Sequence, residues 1–196
     1  LKETFPDWRI SWLVEKTSAP LLENHPCLTR LFVWKRRAEG LSGFLRTLAE
    51  VRAERFDAAI DLQGLLKSAV WVAMSGARRR IGHKNTRECA DLFLNEYVGD
   101  RPVFDPGFPL IQRYLEPACH LGADPCKARF ILPPVPRAVC ESVDDLLSGV
   151  DRSRPMVALC PRSHWATKDW PLDRSDGVAR ALRAKEQNVE LRARND

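Results

Sequence analysis

Residues 56–71, FDAAIDLQGLLKSAVW, bring Asp61, Gln63, Gly64, Lys67 and Ser68 close together between two apolar runs. The first run predicts a buried strand over 56–62, and the second a helix carrying Lys67 and Ser68. A strand that passes into a helix through a short polar turn is a working corner of an α/β fold. Ligands there sit outside the carboxyl ends of the strands. The unpaired N–H groups and positive dipole end of the helix suit an anion, and Lys67 on the first turn adds a full charge. A plainer role fits the same residues: Asp61 and Ser68 as caps, Lys67 as a solvated side chain.

A second group follows the apolar run at 156–160. Residues 161–171, PRSHWATKDWP, deliver Ser163, His164, Thr167 and Lys168 into a loop ahead of a helix. Hydroxyls and a lysine ammonium at such a place form a phosphate-site layout. A lone loop histidine also reads as solvated, and Trp165 and Trp170 read as packing residues.

Charge is distributed in the same sense. The chain has 196 residues and a net charge of +5 from 31 Lys and Arg against 26 Asp and Glu. That excess is mild, but Lys35, Arg36 and Arg37 form one basic cluster and Arg78, Arg79 and Arg80 another, with Lys84 and Arg87 nearby. Such clusters favour phosphate-bearing or anionic partners, and they also occur as solvated faces. Six scattered cysteines, with no Cys-x-x-Cys pair and no histidine at ligand spacing, argue against structural zinc and fit a reducing compartment. No apolar run is long enough to span a membrane as a helix.

The elements that must position these residues alternate. Ile10, Trp12 and Val14 predict a strand, residues 19–22 a short helix with a proline near its start, and 31–34 a second strand that ends in the Lys35 cluster. Leu41, Phe44, Leu45, Leu48 and Val51 recur at helical spacing and predict an amphipathic helix over 41–55 with those five toward the core. After the central strand and helix, which Ser75 and Gly76 end, come a brief strand at 80–82 and a helix over 86–94 with Thr86 as N-cap. A helix over 110–121, a strand at 130–132, stiff prolines at 133–136 and a helix over 139–147 follow. This is a parallel α/β order. The polar stretch 149–155 places a boundary, giving one domain over 1–148 and the beginning of another over 149–196.

DLQGLLKSA, with SGARRRIG at 75–82 and the Arg87–Glu88 pair, resembles the bacterial lipopolysaccharide heptosyltransferases of glycosyltransferase family nine, most closely the heptosyltransferase I branch. FPDWRISWLVE, APLLENHP and WATKDWP extend the resemblance across the chain as far as Pro171. It implies the GT-B architecture: an acceptor-side Rossmann-like domain, here lacking its first strand, and the start of a domain that holds the nucleotide sugar. The reaction implied is inverting transfer of heptose from ADP-heptose to a Kdo residue on lipid A, without a metal or cofactor, by a protein peripheral to the cytoplasmic face of the inner membrane.

By the same resemblance, Lys168 meets the donor diphosphate, with Ser163, His164 and Thr167 beside it; an Arg is common where His164 stands. Arg87, Lys67, Asp61, Gln63, Gly64 and the Lys35, Arg36 and Arg37 loop fall on the acceptor side. The family's general base is an Asp that falls upstream of Leu1, so the chain as given is expected to be cut at both ends and inactive. Two alternatives remain: another enzyme of the family such as heptosyltransferase II, and a basic α/β module that grips nucleic-acid phosphates. The chain lacks an aromatic stacking platform or zinc-finger signature, which disfavours the latter and leaves no nucleic acid among the expected partners.

Overall fold

A computed structural model describes residues 1–99, 101, 107–153, 156–160, 163, 166–184 and 188–191. Strands and helices alternate, and every ladder is parallel. Parallel neighbours need a crossover to return the chain, and helices supply it. The chain divides into two compact units, Leu1–Pro134 and Val135–Asp196. The division falls earlier than the sequence-based boundary at 148/149, at the proline-rich stretch.

In the first unit, β1 (Ser11–Glu15) pairs with β2 (Arg30–Trp34), and β3 (Ala58–Asp61), β4 (Arg79–His83) and β5 (Glu96–Val98) form a second ladder in that order. Among the described residues β1 and β3 each keep one edge without a strand partner. The crossovers are α1 (Arg36–Ala53) after β2 and α2 (Leu66–Met74) after β3, and α3 (Leu110–His120) follows β5. The second unit contains α4 (Arg137–Leu146), β6 (Met156–Leu159), α5 (Leu172–Arg183) and β7 (Asn188–Leu191), with β6 and β7 paired.

The core of the first unit has two centres. Trp71 of α2 packs its ring 5.2 Å from that of Trp34 and 4.5 Å from that of Phe44, tying α1 and α2 over the end of β2. Ile81, Ala69, Val72, Ala90, Leu94 and Val98 are buried around β4. Gly82 belongs to this packing, because a Cβ there would lie 2.7 Å from Leu94 Cδ1.

Four expectations differ from what is seen. α1 buries Gly43, Thr47, Leu48 and Val51, and turns Leu41 and Leu45 to solvent. The stretch at 86–94 is an irregular 3-10 segment, Arg87–Phe93, because Glu88 (φ 58°) and Cys89 (φ 55°) are left-handed. Thr86 Oγ1 takes the Asp91 N–H at 2.9 Å in place of a first-turn cap. Residues 130–132 have no sheet partner and form no strand, with Phe130 and Leu132 exposed; the prolines that follow supply no N–H for a ladder. Finally, β5, absent from the sequence reading, is only three residues long and shows too little alternation to announce itself.

The second basic cluster has a structural role. Arg79, at the amino end of β4, makes a two-pronged pair with Glu96 of β5 at 2.7 and 2.8 Å, and His120 Nε2 of α3 reaches the same carboxylate at 2.9 Å. Hydrogen bonding from Arg79, then from His120, pulls the Glu96 carboxyl down to about 2. Arg80 Nε donates to Phe93 O at 2.9 Å. Arg79 and Arg80 therefore tie β4 to its neighbours at its amino end, away from the carboxyl ends of the strands.

His83 closes β4 and is 2% exposed. Its Nε2 lies 2.9 Å from Arg113 O and 3.1 Å from Glu116 Oε2, both on α3, so the neutral ring donates from that nitrogen. Burial, reinforced by the Arg113 charge, holds its pKa below the usual imidazole value. The unfolded chain thus takes up a proton that the folded chain resists, and stability falls as pH drops below about 6.5. Urea unfolding should show a smaller loss of stability between about pH 7.5 and pH 5.5 in His83→Asn than in the wild type.

Candidate acceptor-side and donor-side sites

At the carboxyl end of β3 the chain makes a turn built by one carboxylate. Asp61 is 3% exposed, and its Oδ1 accepts from the N–H groups of Gln63 at 2.9 Å and Gly64 at 3.0 Å. Its Oδ2 is buried and has no hydrogen-bond partner among the described residues. The turn needs Gly64, which has φ 64° and whose added Cβ would lie 3.0 Å from Thr86 Cγ2. Gln63 is exposed beside it.

The turn delivers α2 with Leu65 as its N-cap. Ser68 Oγ accepts from Leu65 N at 3.3 Å and donates to Leu65 O at 2.9 Å, so this hydroxyl does cap the helix. Lys67 stands on the first turn and reaches Glu15 Oε1, at the end of β1, at 3.0 Å. Leu66 N–H donates to Glu88 Oε2 at 3.0 Å. An anion-favouring helix end is thus met by a carboxylate of the protein itself, and Lys67 is balanced by a second.

Glu15 has no role in the sequence reading, and Glu88 enters it only as half of the Arg87–Glu88 pair; the left-handed backbone at Glu88 and Cys89 accompanies its reach to α2. The Lys35 cluster follows β2 at the same carboxyl edge. Lys35 is the N-cap residue of α1 and lies 3.5 Å from Glu39, which also pairs with Arg46. The backbones of Arg36 and Arg37 open α1 and that of Arg87 opens the 3-10 segment; their side chains lie outside the described residues.

The donor-side residues belong to the second unit. Thr167 and Lys168 are exposed on the 3-10 turn Ala166–Lys168, which follows β6 and precedes α5. Ser163 is exposed and donates its N–H to Asp169 Oδ1. His164 lies outside the described residues. Among the described residues no group of three or more His, Cys, Asp or Glu side chains could hold a metal ion.

This geometry, parallel strands delivering polar turns and cations to their carboxyl edge, is shared by many nucleotide-dependent folds. The family model for glycosyltransferase family 9 (heptosyltransferase) matches residues 44–196. The chain belongs to that family. It is 34% identical over 116 residues to lipopolysaccharide heptosyltransferase 1 of Campylobacter coli, covering 59% of this chain and 33% of the relative. Against the lipopolysaccharide core heptosyltransferase OpsX of Haemophilus influenzae it is 26% identical, over 96% of this chain and 52% of the relative.

The fold is that of solved family members. A glycosyl transferase family 9 protein from Veillonella parvula superposes with TM-score 0.77 at 15% identity, over 96% of this chain and 55% of the other. The Escherichia coli heptosyltransferase WaaC with ADP-2-deoxy-2-fluoro heptose gives 0.67 at 20% identity, over 99% and 62%. The fold class is therefore the Rossmann-like α/β fold of GT-B glycosyltransferases, and the chain spans between a third and about half the length of the curated relatives it matches.

In this family 9 chain the Asp61 turn joins the carboxyl end of β3 to the start of α2. Asp61→Ala should lower stability by about 2 kcal/mol in urea unfolding, since two backbone donors lose a charged acceptor. Gly64→Ala should cost at least about 1 kcal/mol, since alanine pays for both the left-handed backbone and the Thr86 contact.

Proposed function

We propose that this family 9 chain is part of an inverting heptosyltransferase of the heptosyltransferase I kind, moving heptose from ADP-heptose to a Kdo residue of the lipopolysaccharide inner core. The observation that carries the reading is the family match over residues 44–196, together with Lys67 on the first turn of α2 at the carboxyl edge of the sheet. The names of the relatives, both lipopolysaccharide heptosyltransferases, support it.

In this reading the acceptor, which carries phosphates and carboxylates, meets Lys35, Arg36, Arg37, Lys67 and Arg87, with the turn of Asp61, Gln63 and Gly64 setting their frame. Arginine contacts to such groups are charge-assisted and strong. An acceptor anion at Lys67 has to share or displace Glu15. On the donor side Ser163, His164, Thr167 and Lys168 hold the diphosphate.

The acceptor hydroxyl oxygen attacks the anomeric carbon as the bond to ADP breaks. The electron pair leaves on the diphosphate, where Lys168 offsets the developing charge. The hydroxyl proton passes to a carboxylate. No metal or cofactor takes part in this scheme, and the reaction occurs at the cytoplasmic face of the inner membrane.

Isothermal titration with a water-soluble Kdo-lipid A analogue tests the reading. Arg87→Ala should weaken binding at least about tenfold relative to the wild type, the effect of losing one charge-assisted contact. A folded wild-type chain that does not take up the analogue would overturn it.

A further inference from the structure

We infer that the amino-terminal part of α1, residues 35–46, docks on an anionic lipid bilayer, with Leu41 and Leu45 entering the interface. The inference rests on the reading above of a lipid-borne acceptor and adds the surface by which the protein meets the membrane.

The starting point is a helix that leaves two of its five apolar residues outside: Phe44 packs on Trp34 and Trp71, and Leu48 and Val51 are buried. Leu41 and Leu45 are 72% and 54% exposed. They lie one turn apart on α1 and so share a face. Thr47 is buried beside Leu48 and Val51. This arrangement is set by Gly40, whose backbone (φ 52°, ψ −139°) breaks α1 so that its regular part begins at Leu41. Exposing two leucines at the start of a helix is costly in water and favourable at a lipid interface, where an amphipathic segment buries them among acyl chains.

The charges around them select the lipid. Residues 35–46 hold Lys35, Arg36, Arg37 and Arg46 against the single carboxylate of Glu39, a net charge of +3. Lys35 and Arg46 side chains are 47% and 60% exposed although both pair with Glu39. Basic residues beside exposed apolar ones complement an anionic headgroup layer.

The position of the segment agrees. It follows β2 at the carboxyl edge where Lys67 and the Asp61 turn stand, so a bilayer held there brings a lipid-borne acceptor to that edge. The segments after β1, β3 and β4 also expose leucines, at Leu21, Leu66 and Leu92.

Co-sedimentation of the whole chain with vesicles of equal parts phosphatidylcholine and phosphatidylglycerol tests the inference. The wild type should bind these vesicles, release them at high salt, and bind pure phosphatidylcholine vesicles far more weakly. Leu41→Ser with Leu45→Ser should lower partitioning at least about tenfold, and Lys35→Glu about tenfold or more. Phe130→Ser with Leu132→Ser, which alters exposed apolar residues elsewhere, should leave it unchanged.

A wild type that ignores anionic vesicles overturns the inference. So does a wild type that binds them while both the leucine pair and Lys35→Glu bind equally well. The vesicles contain no Kdo glycolipid, so this result stands apart from the titration with the soluble analogue. Docking can fail while acceptor binding holds, and the reverse.

Discussion

The carboxyl edge of β3 in the first unit depends on a single buried carboxylate. Asp61 gathers the N–H groups of the two residues that would otherwise leave β3 unsatisfied, and so fixes where α2 begins. Everything local to the site is measured from that start: Lys67 opposite Glu15, Leu66 opposite Glu88, Thr86 against Gly64. A buried polar group is costly unless hydrogen-bonded. The two backbone N–H groups that donate to Asp61 Oδ1 supply that bonding here.

The chain uses its cations in two different ways, separated by the direction of the strands. At the amino edge, Arg79 and Arg80 are consumed by Glu96 and by the Phe93 carbonyl, and act as cross-strand ties. At the carboxyl edge, Lys35 and Lys67 are paired with Glu39 and Glu15 and stand beside the turns that the strands deliver. Sequence proximity alone gave both clusters the same meaning; only strand polarity tells them apart. A parallel sheet makes that distinction sharp, because all of its ligand-facing loops emerge at one edge.

The order of strands and helices was legible because each long apolar run had one obvious period and a clear stop, as at Gly76 after α2 and Gly122 after α3. The Asp61 turn was legible too, as a polar break between a strand and a helix. What escaped was set by partners distant in sequence. Glu88 spans from its own segment to α2, and no local pattern distinguishes a carboxylate that caps its own helix from one that caps another. His83 matters through α3, and as a lone histidine in a strand it carried no signal. The spacing of Leu41 and Leu45 fitted a core face, but Thr47 is buried beside Leu48 and Val51 while both leucines are exposed. Residues 130–132 had strand composition without a strand to pair with.

The break at Gly40 also bears on electrostatic frustration within α1. An unbroken helix from Arg36 would set Lys35, Arg36 and Arg37 together at the positive end of its dipole, the place where cations are least welcome. With Gly40 out of helical geometry, the aligned peptide dipoles of the long segment start at Leu41. Glu39, the one acid nearby, lies just ahead of that start, where a negative charge is favoured. The chain thus keeps three consecutive cations at a strand end without setting them against the helix that follows.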